Sequence, residues 1–366
     1  MADVGASEDQ IARLRLIRSE NIGPVTYFQL IARFGSAAAA IAAIPDLAAR
    51  GGGRAPKLAS RAAIEREIDH VAKIGARYLF LGQGLYPPLL AELETAPPAL
   101  VVQGHLSLLE KPAIAMVGAR NASAAACRFA RSLAHKLGES GSVVVSGLAR
   151  GIDTAAHDGS LETGTIAVVA GGIDVFYPPE NEERQRAIAS RGLLIAEQPP
   201  GIEPRARHFP YRNRIIAGLT HGTVVIEAAP KSGSLITARH AVEFGREVMA
   251  VPGSPLDPRA QGCNQLIREG ATLVQTAEDV LEAISPLRIR PFRQRELDYV
   301  GPAVAADADD DARRGITDLL NATPVPLDEL IRQTGLAPAI VQTVLLELEL
   351  AGRLERHAGG KVSLIG

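Results

Sequence analysis

Residues 209–218 read Phe-Pro-Tyr-Arg-Asn-Arg-Ile-Ile-Ala-Gly, and residues 222–228 continue with the apolar run Gly-Thr-Val-Val-Ile-Glu-Ala. The turn at 231–237, Lys-Ser-Gly-Ser-Leu-Ile-Thr, comes next. The pattern predicts a basic, aromatic loop, then a helix, a buried strand and a small-residue loop that begins another helix. This succession of strand, loop and helix is typical of a parallel α/β sheet.

Basic and aromatic side chains are concentrated at the start of this stretch. Guanidinium groups that contact phosphates, beside rings that stack on bases, are a common means of holding single-stranded nucleic acid. A solvated loop whose arginines pair with acidic side chains is the other interpretation, and composition alone does not decide between them. The arginines in question are Arg205, Arg207, Arg212 and Arg214, with Phe209 and Tyr211 between them.

The bulk composition restricts the classes of protein to consider. A chain of 366 residues is long enough for two or three domains, and 46% hydrophobic with 22% charged residues is ordinary globular composition. The net charge of −2 gives no overall attraction to nucleic acid, so an anion site must be a local patch. Cys127 and Cys263 fit no metal or redox spacing. The acidic start is no signal peptide, and no run approaches the ~20 apolar residues of a membrane span, so we expect a cytoplasmic protein without membrane contact.

Three regions of the chain differ in pattern. Residues 1–70 read as a helical domain like a sterile-alpha-motif or helix-hairpin-helix module. Residues 71–287 alternate apolar runs with helical patterns, which predicts a Rossmann-like, doubly wound and mostly parallel α/β sheet. Residues 288–311 contain an Ala/Asp-rich stretch and predict a linker. Residues 312–366 suggest three short helices and a β-hairpin, which is the pattern of a winged helix.

The two flanking regions give weaker functional signals. The turn at 21–24, Asn-Ile-Gly-Pro, could offer helix N–H groups to a phosphate or could join two packed helices, and both interpretations stay open. The presumed recognition helix of the winged helix, residues 338–352, contains no Lys or Arg and two Glu. A helix that reads the major groove needs donors to guanine or phosphate, so we expect a protein contact here rather than duplex reading.

The predicted strand ends are rich in glycine, serine and basic residues. Ligands bind at the carboxyl ends of the strands in an open parallel sheet. Glycines allow close backbone approach, arginine supplies bidentate phosphate donors, and N–H groups at a helix start form an anion nest. Together the strand ends predict a polar pocket for phosphate, sugar and base. Its candidate residues are Gly118, Arg120, Ser146, Gly147, Gly171, Gly172, Arg205, Arg207, Phe209, Arg212, Asn213, Arg214, Lys231, Ser232, Gly233 and Ser234.

Several kinds of chemistry find no support in the pattern. The G-x-G-x-x-G fingerprint is absent, which disfavours a dehydrogenase. Asp153 and His157 share a helix face and form either an acid–base pair or half a metal site, or else a capping residue with its neighbour, of which we favour capping. No further His or carboxylate cluster completes a metal shell, and no nucleophile elbow is present. We therefore predict no catalytic residue, no metal and no cofactor.

Motifs along the middle region resemble, in order and without gaps, those of the DprA family of DNA-processing proteins, also called Smf. The matching segments are Val117–Arg120, Val145–Asp153 with His157, Tyr177-Pro178, Phe209–Gly218, Ser232–Thr237 and Val251–Gly253. The helical and winged-helix flanks also match the long form of the family. The resemblance implies a homodimeric, non-enzymatic protein that binds and protects single-stranded DNA and loads the recombinase RecA during natural transformation.

The resemblance also implies roles for individual residues. Arg120 would hold a phosphate, and Phe209 would contact or stack on a base, with Arg205 or Arg207 nearby on the DNA backbone. The family often has serine where this chain has Ala119. That difference removes a hydroxyl but keeps the arginine, so we expect a modest effect.

Two other functions stay open. A Rossmann-like enzyme or sensor of free nucleotides, such as a phosphoribohydrolase, would also use glycine-rich strand ends. Those enzymes carry Pro-Gly-Gly-x-Gly-Thr-x-x-Glu, whereas this chain has only Ala170–Gly172 and Gly222-Thr223 with Glu227. A winged-helix repressor is disfavoured by the acidic recognition helix.

Overall fold

A computed structural model describes residues 6–288, 307–357 and 359–365. Most of the predicted linker, residues 289–306, lies outside the described residues. The chain divides into two compact units, of which one is Asp69–Arg295 and the other combines Met1–Ile68 with Glu296–Gly366.

The N-terminal segment is helical, as its sequence pattern predicts. Its helices are α1 (Glu8–Ile17), α2 (Pro24–Phe34), α3 (Ala37–Arg50) and α4 (Arg61–Lys73). Helix α1 begins with a capping box, because the Ser7 hydroxyl accepts the Gln10 N–H and the Gln10 side chain accepts the Ser7 N–H. Gly35 ends α2 in the left-handed region at φ 74°, which glycine adopts without steric cost.

Among the helices of the described residues, none is by itself both long and apolar enough to cross a bilayer. Helices α2 and α3 reach that length and composition only as a pair bent by 102°.

The larger unit contains a mixed sheet of nine strands among the described residues. The order across the sheet is β1-β2-β6-β5-β4-β3-β7-β8-β9. The pairs from β6 to β9 in this order are parallel, whereas β1 pairs antiparallel with β2, and β2 with β6. The predicted mostly parallel α/β sheet is therefore confirmed. The strands are β1 (Arg77–Phe80), β2 (Ala99–Gly104), β3 (Ala113–Gly118), β4 (Val143–Ser146), β5 (Thr165–Val169), β6 (Leu193–Ala196), β7 (Gly222–Ile226), β8 (Glu247–Ala250) and β9 (Thr272–Leu273).

Helices connect these strands and cover the sheet. Leu133 and Leu137 pack with Ile114 of β3 in one core cluster, to which Val280 and Ile284 also belong. Strands buried in this way read as continuous apolar runs because neither face meets water. The helices are α5 (Pro88–Ala91), α6 (Ala124–Glu139), α7 (Ile152–Ser160), α8 (Glu182–Arg191), α9 (His208–Gly218), α10 (Ser234–Glu243), α11 (Gln261–Arg268) and α12 (Ala277–Arg288), with short 3₁₀ turns at Leu106–Glu110 and Pro179–Asn181.

The order of the strands reverses between β3 and β7. From β3 the chain proceeds through β4 and β5 to β6 on one side, and it then returns through α9 to β7 on the other side. A crevice opens at the carboxyl ends of the strands at such a switch point, and ligands of open α/β sheets bind there. The sequence-predicted strand ends meet at this place.

One prediction about the opening stretch is wrong. The first residues of the 209–218 segment were expected in a loop, but α9 already begins at His208. Pro210 is compatible with this start because the first N–H groups of a helix have no intrahelical partner in any case. Burial of Arg212 and Arg214 inside the unit shows that tertiary contacts, rather than local composition, fix the helix.

The C-terminal segment has the predicted helices and hairpin of a winged helix. The order is α13 (Asp310–Asp318), β10 (Val325–Pro326), α14 (Leu327–Thr334), α15 (Pro338–Leu350), β11 (Leu354–His357) and β12 (Lys361–Leu364), with the strands arranged β10-β12-β11. Asp309 begins α13 by accepting the Ala312 N–H. Val341 and Leu345 of α15 lie in the core that α13, α14 and the hairpin share.

The other side of α15 is covered by the N-terminal helices of the same unit. Leu346 and Leu350 belong to the core cluster of α1, α2 and α3. Arg33 of α2 donates to the Thr343 hydroxyl at 3.2 Å. Glu347 is 0% exposed and accepts from Arg313 at 2.8 Å. Helix α15, the helix that a winged helix would insert into a major groove, is therefore packed against other helices of the same unit.

Candidate nucleic-acid interface

A cavity of about 290 Å³ lies at the carboxyl ends of β3, β4 and β5, beside the first turns of α9. The loops after these strands supply one wall and α9 supplies the other. The lining residues are Arg120, Asn121, Gly147, Leu148, Ala149, Arg150, Val169, Ala170, Gly171, Val175, Tyr177, Pro178, Pro204, Phe209 and Arg212. The cavity therefore combines guanidinium groups, aromatic rings and glycines.

Arg120 projects from the loop between β3 and α6. Its guanidinium carbon lies 5.2 Å from the centroid of the Phe209 ring, within the range of a cation–π contact. The backbone below it is tightly packed, because Ile152 donates to the Ala119 carbonyl at 3.2 Å. A Cβ on Gly151, whose φ is 74°, would lie 2.2 Å from the same carbonyl oxygen. Arg120 is thus an exposed cation on a fixed support.

Two aromatic rings belong to the apolar lining of the cavity. The centroids of Phe209 and Tyr177 are 5.7 Å apart, with an angle of 51° between the ring planes. Tyr177 is 44% exposed, so its ring is accessible to a ligand from solvent. The rings provide π surfaces on which any base can stack.

Arg212 of α9 is a buried cation in the wall of the cavity. Its guanidinium lies against Gly147, where an added Cβ would be 1.2 Å from Nη1. Burial lowers the pKa of Arg212 to about 10, and the nearby Asp153 charge opposes that shift, so the side chain stays charged at neutral pH. In the described part of the chain Arg212 Nε has no hydrogen-bond partner. An anion in the cavity would be attracted by the charge of this guanidinium.

Asp153 shapes the loop between β4 and α7. Its Oδ2 accepts the N–H groups of Gly147 at 3.1 Å and Ala149 at 3.3 Å. Burial raises the pKa of Asp153, and the Arg212 charge and the two backbone N–H groups act in the opposite direction. The carboxylate therefore supports the part of the loop that Arg212 touches.

His157 takes a structural position. It is 1% exposed, and its Nδ1 lies 2.7 Å from the Thr165 hydroxyl oxygen. Burial lowers its pKa to about 3, so the ring is neutral at ordinary pH. Asp153 and His157 each have a separate partner, which disfavours an acid–base pair. The expected capping by Asp153 is not observed either, because α7 begins after Gly151 without a side-chain cap and Asp153 instead accepts N–H groups of the preceding loop.

Some predicted site residues stabilise the sheet around the cavity. The Ser146 hydroxyl donates to the Met116 carbonyl at 2.6 Å and joins β4 to β3. Gly118 permits close packing, since a Cβ there would lie 1.9 Å from the Ile226 carbonyl oxygen. Arg214 is 6% exposed and donates to Thr95 and Glu197. The side chains of Ser146 and Arg214 are of types that bind ligands, but their donors are engaged inside the protein.

The paired glycines after β5 differ in what they approach. Gly171 lines the cavity, and a Cβ on it would lie 2.6 Å from the Ile202 carbonyl oxygen. Gly172 donates its N–H to the same carbonyl at 2.8 Å. The sequence predicted a close approach of these glycines to a ligand. In the structure both glycines pack closely against residues 199–204 of the same chain. Of the two, Gly171 also lines the cavity.

The remaining predicted residues lie outside the cavity lining. Asn213 donates to the Gly233 carbonyl at 3.2 Å and connects α9 to the loop after β7. In that loop the hydroxyl oxygens of Ser232 and Ser234 are 2.7 Å apart. The exposed side chains, located before α9 and in the same loop, are Arg205, Arg207 and Lys231.

Sequence reasoning did not select several lining residues. Tyr177 stands 32 positions before Phe209, and its Tyr-Pro dipeptide was the only signal for it. Arg150 follows β4 and pairs with Glu180 at 2.7 Å. Its place between Ala149 and Gly151 in the strand-end motif could have identified it. In the described ranges, no group of three or more His, Cys, Asp or Glu residues is arranged to hold a metal ion.

Comparison with known families agrees with this architecture. The family model described as DNA recombination-mediator protein A matches residues 77–285, which is more than half of the chain. The chain belongs to the DNA recombination-mediator protein A family. A DprA-like N-terminal helix-hairpin-helix domain matches residues 7–69, and a DprA winged helix domain matches residues 300–360. The resemblance to DprA that the motifs indicated is confirmed.

Individual members of the DNA recombination-mediator protein A family align over much of the chain. The DNA processing protein DprA of Streptococcus pneumoniae is 48% identical over 198 residues, which are 54% of this chain and 70% of the relative. Protein Smf of Escherichia coli is 36% identical over 292 residues, which are 76% of this chain and 75% of the relative.

Two solved structures of the DNA recombination-mediator protein A family share the fold. An X-ray structure of DprA from Streptococcus pneumoniae matches with a TM-score of 0.63 and 37% identity, and it covers 76% of this chain and 98% of that one. DNA processing protein A from Helicobacter pylori, described for its single-stranded DNA binding mode, matches with a TM-score of 0.52 and 27% identity. It covers 58% of this chain and 95% of that one.

Proposed function

We propose that this chain binds single-stranded DNA in the cavity at the carboxyl ends of β3, β4 and β5, protects incoming strands and loads RecA onto them. The observation that carries the proposal is the cation–π contact of the Arg120 guanidinium with the Phe209 ring, in the same cavity as the buried Arg212. The cavity thus offers cations to a phosphate and π surfaces to a base. The single-stranded DNA binding described for the Helicobacter pylori relative supports the same ligand.

The arrangement favours a strand whose bases are exposed. Stacking on Phe209 and Tyr177 requires an unstacked base, which a duplex does not offer without disruption. The stacking contribution of roughly 1–3 kcal/mol per base does not depend on sequence, so the protein would accept any incoming strand. Because the net charge of the chain is −2, the attraction arises from the local arginines.

Exposed cations extend the proposed contact beyond the cavity. Arg205 and Arg207 precede α9, and Lys231 lies in the loop after β7. In the proposal these side chains contact phosphates on either side of the bound nucleotide. Arg214 is not included, because its guanidinium is engaged with Thr95 and Glu197.

Recombinase loading and homodimer formation are further parts of the proposal. Both are what the resemblance to the DprA family implies, and the match to the recombination-mediator family supports a role in recombination. RecA assembly on an oligonucleotide coated with single-strand-binding protein should be faster with this chain present. Sedimentation should give twice the mass of one chain. Unchanged RecA assembly would contradict the loading role.

The proposal assigns no catalysis to the cavity, although a single free nucleotide could also occupy it. Incubation with nucleoside monophosphates distinguishes the two functions. We expect no release of free base from the nucleotide. Release of free base would indicate a phosphoribohydrolase activity instead of the proposed DNA binding.

The Phe209→Ala variant tests base stacking. We expect the affinity for labelled oligo-dT to fall by roughly 1–3 kcal/mol, because one stacking surface is lost. Tyr211→Ala is the matched control, since this ring is 56% exposed on the same helix and does not line the cavity. Equal affinity losses in the two variants would remove Phe209 from the proposed interface.

A further inference from the structure

Glu227 follows β7 directly and has an unusual backbone conformation. Its φ is 49°, in the left-handed region that side chains other than glycine rarely adopt. Its carboxylate crosses to the neighbouring chain segment at Ser123. There Oε2 accepts the Ser123 N–H at 2.8 Å, and Oε1 accepts the Ser123 hydroxyl at 2.6 Å. Hydrogen bonds to an ionised carboxylate are stronger than those between neutral groups.

Ser123 is also the residue that begins α6. Its hydroxyl oxygen accepts the Ala126 N–H at 3.0 Å while the hydroxyl proton goes to Glu227. The carboxylate therefore fixes the orientation of a helix cap. It does so across the switch point, because β3 and β7 are neighbours in the sheet and Gly118 pairs with Ile226.

The loop that Glu227 fastens carries Arg120. At its start, the Ala119 carbonyl accepts the Ile152 N–H at 3.2 Å. At its end, Ser123 is held by Glu227. The backbone of Arg120 thus lies in a short span with both ends fixed. Within the described residues the exposed guanidinium contacts the Phe209 ring, and the geometry of the loop decides where its charge is placed.

We propose that Glu227 is a positioning residue for single-stranded DNA, which acts by clamping Ser123 and so fixing Arg120 over the cavity. The inference rests on the proposed function, because it specifies how one cation of that site is oriented. Backbone strain at a residue that fastens a ligand-binding loop is consistent with this role, since strained conformations persist where the surrounding structure holds them.

The competing interpretation is that Glu227 stabilises the start of α6 and nothing more. Asp279 provides a matched control, because its Oδ2 accepts the Gln275 and Thr276 N–H groups, each at 2.8 Å, at the start of α12. Both carboxylates cap a helix in the same unit, but Asp279 does not contact the loop of Arg120. Asp279→Ala should lower the melting temperature without changing the affinity for DNA.

A double-mutant cycle tests the inference on the full chain, with oligo-dT as the probe. Arg120→Ala and Glu227→Ala should each weaken binding by about ten-fold, because one charge-assisted contact is lost or misplaced. The double variant should bind no more weakly than Arg120→Ala, since Glu227 acts through Arg120. Glu227→Gln should recover most of the affinity, because its carboxamide oxygen still accepts the Ser123 N–H.

Each outcome of the cycle is decisive. Losses that multiply in the double variant, or an Asp279→Ala loss as large as that of Glu227→Ala, would overturn the positioning role while leaving the proposed function intact. Absence of oligo-dT binding by the unmodified chain would overturn the proposed function itself. If Glu227→Ala does not fold, Ser123→Ala replaces it in the same cycle, because that change removes one of the two hydrogen bonds to Glu227. It also removes the cap that Ser123 provides to Ala126, and Asp279→Ala is the control for a loss at a helix start.

Discussion

Replacing Gly147 by alanine adds a methyl group where the Arg212 guanidinium lies. The new Cβ would be 1.2 Å from Nη1 and 2.3 Å from Cζ of Arg212. The backbone of Gly147 is outside the left-handed region, so alanine itself is not strained there. The N–H that Gly147 donates to Asp153 is also kept. The substitution therefore displaces one guanidinium and changes no charge.

The size of the effect follows from these distances. The Nη1 atom must move by about 2 Å to reach an ordinary contact distance of ~3.5 Å from the methyl carbon. Such overpacking should lower the free energy of unfolding by about 1–3 kcal/mol. Loss of a charge-assisted phosphate contact should weaken oligo-dT binding by about 1.5–3 kcal/mol, which is roughly 10- to 150-fold.

Fluorescence anisotropy with labelled oligo-dT, measured over a series of salt concentrations, checks the prediction. The slope of log K against log salt should become less steep by about 0.7, because one phosphate contact is lost. Gly315→Ala is the control, since Gly315 lies in α13 with no atom within 4 Å of an added Cβ. That variant should keep its affinity and gain up to about 1 kcal/mol of stability. Wild-type affinity and slope in Gly147→Ala would refute the assignment of Arg212 to the DNA site.

Three further predictions concern stability and residues outside the cavity. Burial lowers the pKa of His157 to about 3 from 6.5, so below pH 6.5 the unfolded chain gains a proton that the folded chain does not. Between pH 6.5 and pH 3, the free energy of unfolding of the wild type should therefore fall by about 1.4 kcal/mol per pH unit relative to that of His157→Gln. Urea titrations over this range measure the difference, and unfolding free energies that change in parallel with pH in the two proteins would contradict the prediction. Arg313→Ala leaves the fully buried Glu347 carboxylate without its closest counter-charge, so the free energy of unfolding in urea should fall by about 3–5 kcal/mol. Adding Glu347→Gln to this variant should restore part of the loss. A loss below about 1 kcal/mol would mean that the pair contributes no more than a surface ion pair. Arg214→Gln should lower the melting temperature without changing the salt slope of oligo-dT binding, and a less steep slope would place this arginine on the DNA.

The central strands could be predicted from the sequence almost residue by residue. The nearly continuous apolar runs at 143–146, 165–169 and 193–196 form β4, β5 and β6 over the same residues. Strands buried on both faces need continuous apolar runs, and polar or glycine residues end them. The sequence pattern therefore indicates where each of these strands begins and ends. The start of α9 was missed because its residues are basic and aromatic, and their helical state depends on burial against the rest of the unit.

The candidate site was only partly predictable, for a physical reason. Arg120, Phe209 and Arg212 line the cavity, whereas Ser146 and Arg214, which have equally suitable side chains, are bound to partners inside the protein. Sequence shows which donors exist near a strand end, but it does not show which of them already have acceptors. The contribution of residues distant in sequence, such as Tyr177 beside Phe209, also requires the fold.

The partner of α15 was beyond the reach of sequence reasoning. Its lack of Lys and Arg disfavoured duplex reading, but the pattern did not say what covers the helix. The structure shows apolar residues on two sides, with Leu345 in the winged-helix core and Leu346 against the N-terminal helices. Adjacent positions in a helix point to different sides, so a helix packed on two sides reads as uniformly apolar.

The most direct test of the central claim is the anisotropy of labelled oligo-dT, single-stranded against duplex, over a salt series with Arg120→Ala alongside the wild type. We predict tighter binding of the single strand. We also predict that the variant binds more weakly and that its slope is less steep by about 0.7, which is the contribution of one phosphate contact. Equal binding of single strand and duplex, absence of binding, or an unchanged slope in the variant would contradict the assignment of this cavity to single-stranded DNA.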